Sequence, residues 1–226
     1  MDFVFEGRPS DSPFIEMIWQ THSKQAGTFI SEAASSWGIV LPKHQGKTRL
    51  VVRGPETKAT PADFPADAEF LGIQFKLGTF MPDVPMHTII DRQDLILPEA
   101  GSKSFWFHGS VWQFPSYENV DTFADRLVHE GLLAREPLVD AVLQGELQDL
   151  SLRAVQLRFL RATGLTQRTV RQIERARRAT ALLVQGVPIL DTVYETGYFD
   201  QAHMTRSLKR FMGKTPAQIA GLKPLP

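Results

Sequence analysis

The spacing of apolar residues changes along this chain. Through about residue 80 they alternate with polar ones or gather in short Ile, Val, Phe and Trp runs between Pro and Gly, as in half-buried strands. These runs predict strands over 14–22, 27–31, 37–41, 48–53 and 69–77. The proline-rich stretch 55–68, P-E-T-K-A-T-P-A-D-F-P-A-D-A, predicts a loop or long turn. Residues 81–117 are less regular, with room for one helical turn in M-P-D-V-P-M-H, 81–87. From residue 121 the period becomes helical. A helix over 121–133 carries Phe123 and Leu127 inward, with Asp121 as its cap, and Arg135-Glu136-Pro137 breaks it.

Beyond that break the pattern predicts helices over 138–144, 151–163, 166–185 and 189–196, then a short one after Asp200. Ser151 is placed to cap its helix, with Leu152, Val155, Phe159 and Ala162 inward and Gly164 as its stop. The 166–185 helix, capped by Thr166, buries Val170, Ile173, Ala176 and Leu183. After Gly197, Asp200 can cap a helix whose Met204, Leu208 and Phe211 fall at i, i+4 and i+7. Gln201, His203, Thr205, Arg206, Lys209 and Arg210 stay off that stripe, Gly213 ends it, and Thr215-Pro216 starts another helix.

A helix, a Gly-containing turn and a second helix with a polar outer face make the helix-turn-helix pattern. An ordinary surface helix pair has the same spacing. Residue type separates the two, because Gln, His, Thr and Arg in the first turns can contact base edges in a major groove. Residues 151–163 follow the same plan. The helix between the two pairs would span roughly 30 Å at ~1.5 Å per residue. Successive major-groove segments on one face of a duplex lie ~34 Å apart.

Charge sharpens this picture. The chain is formally neutral, yet residues 1–150 hold 12 basic and 21 acidic side chains, and residues 151–226 hold 13 and 4. A segment at +9 beside one at −9 suggests a nucleic-acid-binding end that an acidic domain does not share. There is no cysteine, which excludes disulfides and thiol catalysis and fits a reducing, cytoplasmic compartment. No run of 18 apolar residues and no basic-then-apolar start is visible, so neither a membrane partner nor a secretory signal is expected.

The stretch G-Y-F-D-Q-A-H-M-T-R-S-L-K-R-F-M-G-K-T-P resembles the C-terminal signature of the AraC/XylS transcription regulators. The resemblance runs from about Leu147 to Ile219 and takes in the earlier helix through Ser151, Arg153, Phe159 and Thr163-Gly164. Val155 replaces a usual Leu, and Leu157 stands where an Arg is usual, with Arg158 one place later. The resemblance implies base-edge contacts from Gln201, His203, Thr205 and Arg206, and from Arg153 and Gln156 in the earlier helix, with Arg158 as a stand-in. It also implies a β-rich sensing or dimerising domain ahead of them, so a homodimer and a small-molecule effector stay open.

Other chemistry finds little footing. His22, His44, His87 and His108 form no H-x-H or H-E-x-x-H pair, so no metal is expected. There is no Gly-rich phosphate loop and no G-x-S-x-G, so no cofactor and no enzyme are expected, although a barrel-type enzyme is the least favoured alternative. Asp91 and Asp94, in D-R-Q-D, have the look of a solvated turn. Phe105, Trp106, Phe107, Trp112, Phe114 and Tyr117 can wall a ligand pocket or simply fill a core. The expectation is an α+β chain. Residues 1–133 form a β-rich sheet or partial barrel, and 134–226 an all-α domain of two helix-turn-helix motifs joined by a long helix. Its function would be to bind specific double-stranded DNA and regulate transcription. The alternative is a sensor whose main business is a small ligand in an aromatic pocket, and a plain architectural DNA binder would show no sequence preference.

Overall fold

The computed structural model describes residues 3–91, 94–146 and 149–221. Fourteen strands and seven α-helices occur among them. The strands are β1 Phe3–Pro9, β2 Ile15–Ser23, β3 Gly27–Ser31, β4 Gly38–His44, β5 Lys47–Thr48, β6 Leu50–Arg53, β7 Thr60–Phe64, β8 Ala68–Phe75, β9 Thr79–Phe80, β10 Leu95–Leu97, β11 Glu99–Gly101, β12 Ser104–Phe107, β13 Ser110–Gln113 and β14 Ala134–Arg135. The helices are α1 Val120–His129, α2 Leu138–Gln144, α3 Leu152–Thr163, α4 Gln167–Val184, α5 Ile189–Glu195, α6 Gln201–Met212 and α7 Pro216–Ala220. An N-terminal β-rich region is thus followed by a helical C-terminal part.

Two compact units divide the chain. The first is Met1–Thr28, Ser36–Pro55 and Asp63–Thr166, and the second is Phe29–Ser35, Glu56–Ala62 and Gln167–Pro226. In the first, an antiparallel sheet runs β1-β2-β8-β4-β6-β10, with β5 on β4. The pairing Trp19↔Gly72 explains a glycine in mid-strand, since a Cβ there would lie 1.9 Å from the Trp19 ring. β11-β12-β13 and β14-β9 form two smaller sheets. Ile18, Ile39, Val52, Ile73 and Phe75 of the large sheet, with Trp37 just before β4, share one core with Phe105, Trp112, Val120 and Leu127. In the second unit, Val170, Ile173, Ala176, Ala179 and Leu183 of α4 are buried, as are Met204, Leu208, Phe211 and Met212 of α6.

Several expectations change here. The 55–68 stretch is not all turn, since β7 lies within it and pairs with β3 as a two-stranded sheet. Pro61 fits there because a two-stranded sheet has only edge strands, where a missing N–H breaks no inner ladder. The 81–117 region holds a 3₁₀ turn, Met86–Thr88, and then the β11-β12-β13 meander. Asn119, not Asp121, precedes α1, and Asp121 instead meets Arg8 at 2.9 Å and accepts a hydrogen bond from Ser10. Leu152, expected inward, is 80% exposed, because α3 turns Phe159, Ala162 and Thr163 to the core instead. In D-R-Q-D, Arg92 and Gln93 lie outside the described residues.

Candidate nucleic-acid interface

The second helix pair is set by its caps. Pro188 precedes α5, and the chain turns at Gly197 with φ of +67°, a left-handed conformation that glycine adopts without a Cβ penalty. Asp200 then caps α6, its carboxylate accepting from the His203 amide at 2.6 Å. Beyond Gly213, Thr215 and Gln218 form a reciprocal capping box at the start of α7, with Pro216 in the first turn.

The far end of α6 is anchored by chain from the N-terminal half. The last carbonyls of a helix lack helical donors. Here the Ala33 amide donates to the Phe211 carbonyl at 2.7 Å, and the Ala59 amide to that of Arg210 at 2.8 Å. Ala34 and Glu56 bond each other reciprocally beside them, and Lys214 lies 3.7 Å from Glu32. These bonds account for 29–35 and 56–62 belonging to the second unit, and no local pattern in the sequence announces them.

With both ends fixed, the faces of α6 follow from about 100° per residue. Gln201, Ala202, Arg206, Lys209 and Arg210 are exposed, and His203 and Thr205 half-buried. The Thr205 hydroxyl donates to the Gln201 carbonyl at 2.8 Å. The His203 ring stands edge-on to Tyr198, 5.1 Å between centroids, and its Nδ1 accepts from the Phe199 amide at 3.5 Å. Phe199 in the turn and Tyr194 and Leu190 of α5 are strongly exposed apolar neighbours. The Tyr198 phenol donates to or accepts from Ser207 at 2.8 Å. Burial pushes its pKa up, more than the Ser207 hydrogen bond and the Arg175 charge bring it down, so the ring stays neutral.

The earlier pair, α2 and α3, belongs to the first unit. Ser151 caps α3 through the Ala154 amide at 3.2 Å, and Gly164 closes it at φ of +72°. Arg153, Gln156 and Arg158 are all exposed on α3. Arg158 is also engaged within its own unit, as two of its nitrogens meet the Glu136 carboxylate at 2.6 and 2.9 Å. That hydrogen-bonded pair raises the Arg158 pKa further. Arg161 lies over the Phe80 ring at 5.9 Å. Leu157 is exposed where a second cation would be expected.

The aromatic run of residues 105–117 divides between core and surface. Phe105 and Trp112 are buried, and they meet Phe114, Phe107 and Phe123 ring to ring, while Trp106 stays half-exposed. Only Phe114 and Tyr117 of the run line a cleft of about 620 Å³, with Leu41, Leu71, Lys43 and Lys103. Among the described residues no group of three or more His, Asp or Glu side chains is arranged to hold a metal. No described helix is long and apolar enough to cross a membrane.

Comparison with known proteins adds the following. A family model described as "Helix-turn-helix domain" matches residues 148–221, about a third of the chain. No curated protein matches. Among solved structures, ToxT from Vibrio cholerae O395 is 9% identical, covering 96% of this chain and 99% of that one at a TM-score of 0.41. ToxT from the same strain bound to (E)-4-(8-methylnaphthalen-1-yl)but-3-enoic acid is also 9% identical, covering 96% and 98% at 0.39.

Proposed function

We propose that residues 148–221, which match a helix-turn-helix family model, are an AraC-type DNA-binding domain, and that the chain is a transcription regulator that binds specific duplex sequences with α3 and α6 in adjacent major grooves. The observation that carries this reading is α6 itself. It is capped at one end by Asp200, tied at the other by Ala33 and Ala59, and exposes Gln201, Arg206 and Lys209 opposite a buried Met204-Leu208-Phe211 stripe. Rigidly held donors on an exposed helix face suit base-edge recognition, Arg toward guanine and Gln toward adenine. Thr205 stands beside them and His203 on the flank. From α3, Arg153 and Gln156 make the matching contacts, and Arg158 joins them only by leaving Glu136. The length of α4, 18 residues or roughly 27 Å at about 1.5 Å each, suits a spacing near one groove repeat.

The test is selection of bound duplexes from a random pool, followed by Arg206→Ala on the selected site. The substitution should cost about 1–3 kcal/mol there and little on scrambled DNA. Equal affinity of the two proteins for the selected site overturns the assignment. A second reading adds a sensor role, favoured by the cleft that Phe114, Tyr117, Leu41 and Leu71 line with Lys43 and Lys103. An apolar body with a polar group fits such a lining, and a compound that raises the melting temperature and changes DNA affinity would support it. On this reading the chain works in the cytoplasm, without catalysis, and as a monomer or homodimer that sedimentation distinguishes.

A further inference from the structure

Within the second unit, α4 and α6 line a cleft of about 550 Å³. Arg168, Arg171 and Arg175 recur at i, i+3 and i+7, one stripe of α4. Arg206 and Arg210 stand on the opposite wall with His203 and Ser207. Tyr198 lines it too, its hydroxyl bonded to Ser207 and its ring 5.5 Å from the Arg175 guanidinium. No Asp or Glu is among the described residues that line the cleft. Arg168, Arg171, Arg206 and Arg210 are exposed, so something as large as a duplex can reach them.

Five guanidinium groups around one concavity give it a strongly positive lining, which favours an anion. Arginine binds phosphate through paired N–H groups better than any other side chain does. The position on α6 matters as much as the charge. Gln201 and Thr205 lie on one flank of the helix and His203, Ser207 and Arg210 on the other, with Arg206 near the apex. One helix can therefore meet bases along one side and backbone along the other, because the walls of a major groove are phosphate chains.

We propose that the α4–α6 cleft is a phosphate seat that grips the DNA backbone beside the bases contacted by α6, and so fixes how that helix lies in its groove. This rests on the DNA-binding reading above. The arginines then divide between two roles. Arg168, Arg171, Arg175 and Arg210 position the helix, and Arg206 specifies the sequence.

The experiment measures duplex affinity against salt for the full chain and for Arg168→Ala, Arg171→Ala and Arg206→Ala, on selected and scrambled duplexes, with helix content checked by circular dichroism. Arg168→Ala and Arg171→Ala should weaken both duplexes by the same factor. Each should also lower the log–log salt slope by about 0.9 for the lost phosphate. Arg206→Ala should chiefly lower the preference for the selected site, and Arg168→Lys should restore most of the slope. Inorganic pyrophosphate should compete with the duplex, and less so in a variant carrying both Arg168→Ala and Arg171→Ala. Unchanged affinity and slope in both alanine variants overturn the proposal. So does pyrophosphate that stays bound when duplex is added, which would assign the cleft to a free phosphorylated molecule. A wild-type chain that binds no duplex at any salt would instead remove the DNA reading itself, a result distinct from normal binding by the alanine variants.

Discussion

The two helix-turn-helix pairs share a plan and differ in what surrounds it. Both second helices begin at a side-chain cap, Ser151 or Asp200, and end at a left-handed glycine, Gly164 or Gly213. Yet α6 exposes Arg206, Lys209 and Arg210 and lines a cleft of five arginines, while α3 exposes Leu152, Leu157 and Leu160 and holds Arg158 on Glu136. The same local geometry thus carries a cationic surface in one case and a mixed one of leucine and arginine in the other. The backbone supplies a probe, and the flanking side chains decide how hard it binds. We expect α6 to supply most of the affinity and α3 to refine it.

The largest expected effect comes from breaking the better-built pair. Leu208 is fully buried at the centre of the α6 stripe. Leu208→Ala should cost about 2–5 kcal/mol, through lost burial and the cavity left behind. All four tryptophans lie in the first unit, so their fluorescence reports that unit alone. Loss of duplex binding with an unchanged tryptophan transition would show that the pairs depend on separate cores. A tryptophan transition that falls equally would show instead that the two units unfold together.

Next comes a gain of function in the weaker pair. Leu157 is exposed on α3, one place before the engaged Arg158. Leu157→Arg should add a cation that is not committed to Glu136, tightening duplex binding by about 1 kcal/mol or more and steepening the salt slope by about 0.9. No change in either quantity would mean that this face of α3 does not meet DNA, and α6 would then bind alone.

A smaller effect tests the cap. Asp200→Ala removes the acceptor for the His203 amide and a favourable charge at the helix start. It should cost about 1 kcal/mol of stability, seen as a lower denaturant midpoint. Ser151→Ala should cost less, since its acceptor carries no charge.

What could be read from sequence, and what could not, follows the same division between local and distant signals. Gly197, Asp200, Gly213 and Thr215-Pro216 each act within four residues, so the bounds of α6 and its buried stripe are legible from spacing alone. Strand alternation places β2, β3, β4, β6 and β8 to within a few residues. β7 is hidden because Pro61 within it and the prolines on either side, Pro55 and Pro65, signal a turn, and only the pairing with β3 shows it to be an edge. The ties of Ala33 to Phe211 and of Ala59 to Arg210 join residues 178 and 151 positions apart, which no periodicity reports. The arginine cleft was hidden for a related reason. Arg168, Arg171 and Arg175 look like one solvated helix face until α6 is set against it. Likewise the partner of Arg158, Glu136, lies in what the sequence shows only as a helix break.

The smallest effect concerns the first unit alone and uses acid. Burial pushes the Asp121 carboxyl up, but the Ser10 hydroxyl and the Arg8 guanidinium together outweigh it and hold the pKa below the usual carboxylate range. A carboxyl lowered on folding stabilises at neutral pH, and that contribution is lost as pH falls through the folded value, because the unfolded chain takes the proton first. The pair is partly exposed, so its share at pH 7 should not exceed about 1 kcal/mol. Asp121→Asn should therefore lower the tryptophan-detected urea midpoint slightly at neutral pH and leave it almost unaltered in acid strong enough to protonate the carboxyl in the folded chain. It should leave the share of duplex affinity that comes from α6 untouched, since Asp121 belongs to the first unit and α6 to the second. A duplex affinity that fell by more than the Leu157→Arg substitution raises it would mean that the first unit supplies more of the binding than α6 does, against the comparison drawn above.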